Sequence, residues 1–97
     1  MTATLRKKKW LFREWEVTTP SGSFVVTYSG RSFGYESVRV DGKLAVRTKS
    51  WIWFVPRFEF SLAGLAATVD VRIGPSLTLR AIRLQVGDEV CYNEGFG

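Results

Sequence analysis

Apolar and polar residues alternate with a period of two along most of this chain, the signature of strands buried on one face. Leu11, Trp15 and Val17 share one parity and Glu14 and Glu16 the other, with Arg13 interrupting the apolar set. Phe58, Phe60 and Leu62 alternate with Glu59 and Ser61, and Val69, Val71 and Ile73 with Asp70 and Arg72. Leu77 and Leu79 lie on one parity, whereas Ile82, Leu84 and Val86 lie on the other. That switch near Arg80 and Ala81 predicts a β-bulge or a strand passing between sheets.

Turn chemistry punctuates these runs. Asp41-Gly42 stands between two short alternating segments, residues 35–40 and 43–47, and predicts a tight hairpin with both central residues at positive φ. Thr19-Pro20-Ser21-Gly22 and Val86-Gly87-Asp88-Glu89 predict further turns. Residues 29–34 read as a loop, and Pro56 and Gly74-Pro75 as strand ends. About eight strands result, at the spacing of a sandwich or barrel. Nowhere do apolar residues recur at i, i+3, i+4 and i+7 over three turns. The helix-like composition of residues 62–67 is short and contains Gly64. The expected fold class is all-β, an antiparallel β-sandwich. Residues 1–9, nearly devoid of large apolar side chains, are expected to form a flexible basic arm ahead of a single domain over 10–97.

Residues 51–54 depart from simple alternation. Trp51 and Trp53 take one parity and Ile52 and Phe54 the other, so both faces are apolar. Such a strand is either covered on both sides or exposes one face to a partner, a second copy of the chain included. Trp51 and Trp53, with Tyr35, Tyr28 or Phe33, are the candidate interaction surface or stacking platform for bases or sugars.

Composition supports a core and narrows the chemistry. The chain has 97 residues, 45% hydrophobic and 14% aromatic, enough for one domain to fold unaided. Arg6, Lys7, Lys8 and Lys9 supply most of the net charge of +5, leaving a nearly neutral body. These four are the candidate anion-binding residues, for nucleic acid or an anionic membrane surface; the plainer reading is a solubilising segment. There is no histidine, which removes Ser-His-Asp and Cys-His nucleophile arrangements and the commonest zinc ligand. The single cysteine, Cys91, reads as a buried, unreactive thiol. Glycine-rich phosphate loops and apolar runs long enough to span a bilayer are absent from the sequence. The basic start is followed by no apolar leader region, and a cytoplasmic setting is expected. No enzymatic activity, metal or cofactor is expected.

Several of these segments occur in the order and spacing of a known family. Trp15-Glu16-Val17, Val40-Asp41-Gly42-Lys43, Trp51-Ile52-Trp53-Phe54, Phe58-Glu59-Phe60, Ala67-Thr68-Val69-Asp70-Val71 and Leu84-Gln85-Val86-Gly87-Asp88 resemble the Fas apoptotic inhibitory molecule family, from about residue 13 to 94. The resemblance implies two antiparallel sheets packed at a steep angle, no catalysis, and a protein-interaction role that in animals regulates apoptosis. It carries over no binding site residue by residue.

Overall fold

Short turns dictate the connectivity. The computed structural model describes residues 1–30, 35–49, 57–74 and 78–96. Among them are the strands β1 (Thr2–Lys9), β2 (Phe12–Thr19), β3 (Gly22–Ser29), β4 (Tyr35–Val40), β5 (Lys43–Lys49), β6 (Arg57–Leu62), β7 (Leu65–Ile73), β8 (Leu79–Val86) and β9 (Glu89–Glu94). They form two antiparallel meanders, a first sheet β1-β2-β3-β4-β5 and a second sheet β6-β7-β8-β9. The all-β class is therefore as the alternation predicts. The strand expected over residues 51–55 lies outside the described residues.

Asp41 (φ 51°) and Gly42 (φ 81°) both adopt left-handed backbone, as the predicted hairpin requires. Asp41 also extends the β3–β4 pairing: its N–H donates to the Val25 carbonyl, and its Oδ1 accepts from the Val25 N–H, both at 2.8 Å. Ala63 (φ 53°) and Gly64 (φ 77°) build a second such turn between the paired Leu62 and Leu65. The sequence reading missed that hairpin, because alanine is a poor left-handed residue and hides the signal.

Bulges at four places keep the parity of the strands in step with the core. The extra residues are Arg6 in β1, Ala45 in β5, Arg80 in β8 and Cys91 in β9. The bulge at Arg80 is the parity switch visible in the sequence. It lets Leu79 and Ile82 both pack on the interior.

The expected flexible arm is instead edge strand β1. Ala3 and Leu5 pair in register with Val17 and Trp15 and pack against the core, alternating with exposed Thr2 and Thr4. Small and single apolar residues gave this alternation too little contrast to be read. Strand pairing thus starts at residue 2, within the stretch expected to be an arm, and Met1 packs against the core as well. Lysines along an edge strand also discourage pairing with another sheet.

The core sits between the sheets. Trp15, Val26 and Val38 from the first sheet meet Phe58, Val69 and Leu84 from the second, each essentially sealed from solvent. Each such side chain contributes roughly 1.5–3 kcal/mol on burial. Among the described residues, Trp15 with Tyr92 at 5.5 Å and Tyr28 with Phe58 at 5.8 Å between centroids are ring pairs that bridge the sheets. The Trp15 indole N–H is buried without a hydrogen-bond partner among the described residues. Tyr28, considered above as an exposed platform, is fully buried and donates its hydroxyl to Glu36 at 2.7 Å. Burial, reinforced by the Glu36 charge, pushes the Tyr28 pKa far above its ordinary value.

Arg13, the residue that broke the apolar parity of its strand, is 4% exposed and crosses from β2 to β9. Its Nε donates to Glu94 Oε1 at 3.0 Å and its Nη2 to Glu94 Oε2 at 2.9 Å. Its Nη1 donates to the carbonyls of Lys9 and Phe12, each at 2.8 Å. Glu94 also accepts from the Tyr92 hydroxyl at 2.8 Å and lies 3.4 Å from Lys8. The Arg13 hydrogen bonds hold the Glu94 carboxyl down at about 2; burial opposes them, while Tyr92 and Lys8 add to them.

Because folding lowers this pKa, the pair stabilises the protein above the ordinary carboxylate value near 4.5 and loses that contribution as pH falls toward 2. Glu94→Gln is expected to destabilise the fold by about 2–3 kcal/mol at neutral pH. The gap between wild type and variant, measured by urea unfolding, closes between pH 4.5 and 2. A gap independent of pH over that window contradicts the assignment.

Candidate functional site

The outer face of the second sheet carries a cluster that neither the core nor the turns require. Antiparallel register places Arg57 of β6 and Arg83 of β8 on either side of Asp70 in β7. Arg57 Nε donates to Asp70 Oδ1 at 2.7 Å, and Arg83 Nη2 to Asp70 Oδ2 at 3.1 Å. Under this pair of guanidiniums the Asp70 side chain is only 8% exposed, whereas that of Arg57 remains 56% exposed. The Asp70 hydrogen bond and charge raise the Arg57 pKa further above its already high value. Arg72, two residues after Asp70, faces the same side.

Phe96 completes the cluster from the C-terminal side of β9. The turn of residues 93–96 is closed by two hydrogen bonds: Asn93 Nδ2 to the Phe96 carbonyl at 2.8 Å and the Phe96 N–H to Asn93 Oδ1 at 3.1 Å. Gly95 is required there on two grounds. Its φ is +86°, and a Cβ would lie 2.6 Å from the Arg80 carbonyl oxygen and 3.0 Å from the Ala81 Cβ. The glycine lets the chain settle directly on β8, and the next ring lies under two cations. The guanidinium of Arg83 is 4.9 Å and that of Arg72 5.2 Å from the Phe96 centroid. Such cation–ring pairs are worth about 0.5–1 kcal/mol each at exposed sites. Arg57, Asp70, Val71, Arg72, Arg83 and Phe96 line an open cleft of about 340 Å³.

The residues singled out in the sequence are distributed elsewhere. Tyr35 begins β4 on the outer face of the first sheet, half-buried, with the Arg47 guanidinium 5.1 Å from its ring centroid. Trp51 and Trp53 lie outside the described residues. Arg6, Lys7, Lys8 and Lys9 are split by the β1 bulge over both sides of one strand. Arg6 lies 3.8 Å from Glu14, and Lys8 joins Glu94 at the seam between the sheets. The four cations therefore do not form one patch. Cys91 packs partly against the core, and burial pushes its thiol pKa up, away from the reactive thiolate.

In the sequence Asp70 and Arg72 read only as the polar half of an alternating strand, and Arg57, Arg83 and Phe96 carry no mark of a site. The available signal was the basic, acidic and basic residues Arg57, Asp70 and Arg83 at paired outward positions of three successive strands, readable only once the register is known. Among the described residues no three His, Cys, Asp or Glu side chains are grouped to hold a metal ion. No helix among them is long and apolar enough to cross a membrane. No protein-family model, characterised protein or solved structure matches the chain.

Gly95→Ala is expected to cost about 1–3 kcal/mol through backbone strain and the clash with β8. It should also release Phe96 from Arg72 and Arg83, seen as loss of ring-current shifts on their side-chain protons. Retention of those shifts in the variant contradicts the placement of the turn.

Proposed function

We propose that the chain is a non-catalytic protein-interaction domain of the Fas apoptotic inhibitory molecule type, acting in the cytosol. One observation carries the reading: the outer face of the second sheet presents an aromatic ring framed by arginines in an open cleft. Arginine and aromatic side chains are the types enriched in the energetically dominant centres of protein interfaces. The resemblance of its sequence segments to that family supports the same reading, as does a single, partly buried cysteine suited to a reducing compartment. The reading takes over the family's mode of action, binding to a protein, and leaves the apoptotic setting to its animal members.

The double variant Arg72→Ala/Arg83→Ala tests it. Proteins cross-linked to the wild-type chain in cells should be lost at least tenfold with this variant and retained with Arg39→Ala, which alters the first sheet. Equal recovery with all three, at matched unfolding midpoints, removes this face as the docking site.

A second reading, binding to nucleic acid or an anionic surface through β1, is favoured by one feature. Trp10, at the β1–β2 turn beside exposed Lys9, is 57% exposed. Because β1 is part of the sheet, charge reversal is the proper test rather than truncation. Lys7→Glu/Lys9→Glu should abolish salt-sensitive retention on anionic vesicles or single-stranded DNA; undiminished retention rules the strand out.

A further inference from the structure

We propose that the cleft on the outer face of the second sheet receives a phosphate monoester dianion, carried on a phosphorylated serine or threonine of the protein partner. This rests on the docking reading above and adds the chemistry that the site selects.

Charge is the first argument. Three guanidiniums and one carboxylate line the cleft, a surplus of two positive charges within the lining, with Glu59 acting on Arg57 from outside it. A carboxylate ligand brings one negative charge, whereas a phosphate monoester brings between about 1.5 and 2 at pH 7. The dianion therefore matches what Asp70 leaves over.

Geometry is the second. Arg83 is common to two contacts: it shares the Asp70 carboxylate with Arg57 and the Phe96 ring with Arg72. Arg83 thus links the three cations into one chain of contacts carried on strands. Guanidinium forks present paired donors that suit the several oxygens of a phosphate, which lysines do not. Asp70 acts here as a positioning residue. It is capped by Arg57 and Arg83, so its charge is spent within the protein while it orients both donors.

The apolar floor is the third. The Phe96 ring lines the same cleft, giving the methylene or methyl of a phosphorylated side chain an apolar wall beside the charged one.

Titration of the full chain with a capped Gly-phosphoserine-Gly peptide, its serine and glutamate counterparts, and inorganic phosphate tests this. Arginine side-chain resonances and calorimetry report location and affinity. The phosphopeptide should bind at least tenfold more tightly than the glutamate peptide and than inorganic phosphate, and the serine peptide should not bind. Affinity should rise severalfold from pH 5 to 7, as the ester loses its second proton near pH 6. Arg83→Ala, and separately the more exposed Arg72→Ala, should each weaken binding about tenfold.

Equal affinity for the glutamate peptide with a flat pH profile overturns the dianion. Inorganic phosphate binding as tightly as the phosphopeptide assigns the site to the free ion and overturns the peptide source. Indifference of phosphopeptide affinity to both arginine variants removes the location. If the phosphopeptide fails to bind while Arg72→Ala/Arg83→Ala still loses its cross-linked proteins, the phosphate inference falls and the docking reading stands. If it binds while cross-linking is unaffected, the docking reading falls.

Discussion

The bidentate pairing of Arg13 with Glu94 ties the two sheets together at the edge where β1 lies beside β9. A guanidinium this deeply placed must have its donors satisfied, since an unpaired buried charge costs several kcal/mol, roughly 3–5 by analogy with broken buried ion pairs. Arg13 meets that demand with both oxygens of one carboxylate and two carbonyls near the β1–β2 turn. The pairing therefore fixes the turn, the edge strand and the last strand in one step. It also explains why a cation stands in the apolar parity of β2: the residue faces inward because its partner is there.

From this lock the geometry passes outward to the cleft. Glu94 points into the seam, and the chain then turns at Gly95 over β8, where only a glycine fits between the backbone and Ala81. Phe96 consequently arrives on the outer face, beneath Arg72 and Arg83. Inner and outer faces of the second sheet are thus coupled through three consecutive residues, one half-buried at the seam, one in the turn and one under the cations. A change at Arg13 has a route to the cleft that involves no rearrangement of the core.

How much of this could be read beforehand follows from what alternation encodes. Period-two patterning exposed the strand class, the Asp41-Gly42 turn and the bulge at Arg80, because each leaves a local mark in spacing or residue type. Strand β1 escaped because Ala3 and Leu5 offer weak contrast and the cations after them dominate the composition. The turn at Ala63-Gly64 escaped because alanine disguises a left-handed position. The cleft escaped for a different reason: Arg57, Asp70 and Arg83 are distant in sequence and meet only through register, and Phe96 joins them only through the turn after β9. In the sequence the three charged residues are ordinary members of the polar half of their strands, and pairing makes them a constellation.

Cross-strand ion pairs on a solvated sheet face are common, and a ladder of alternating charge stabilises pairing by about 0.2–1 kcal/mol per contact. Such a ladder places one cation against one anion. Here Asp70 already has both oxygens engaged by Arg57 and Arg83, so Arg72 adds nothing to that ladder. Its placement over Phe96 brings a third like charge toward the other two, which a sheet built for stability alone would avoid. The turn that delivers Phe96 likewise requires positive φ at Gly95 and a close approach to β8. Surplus positive charge, a ring held against it by a constrained turn, and open access together exceed what strand pairing demands. Recognition of a negatively charged group, as proposed above, would use all three.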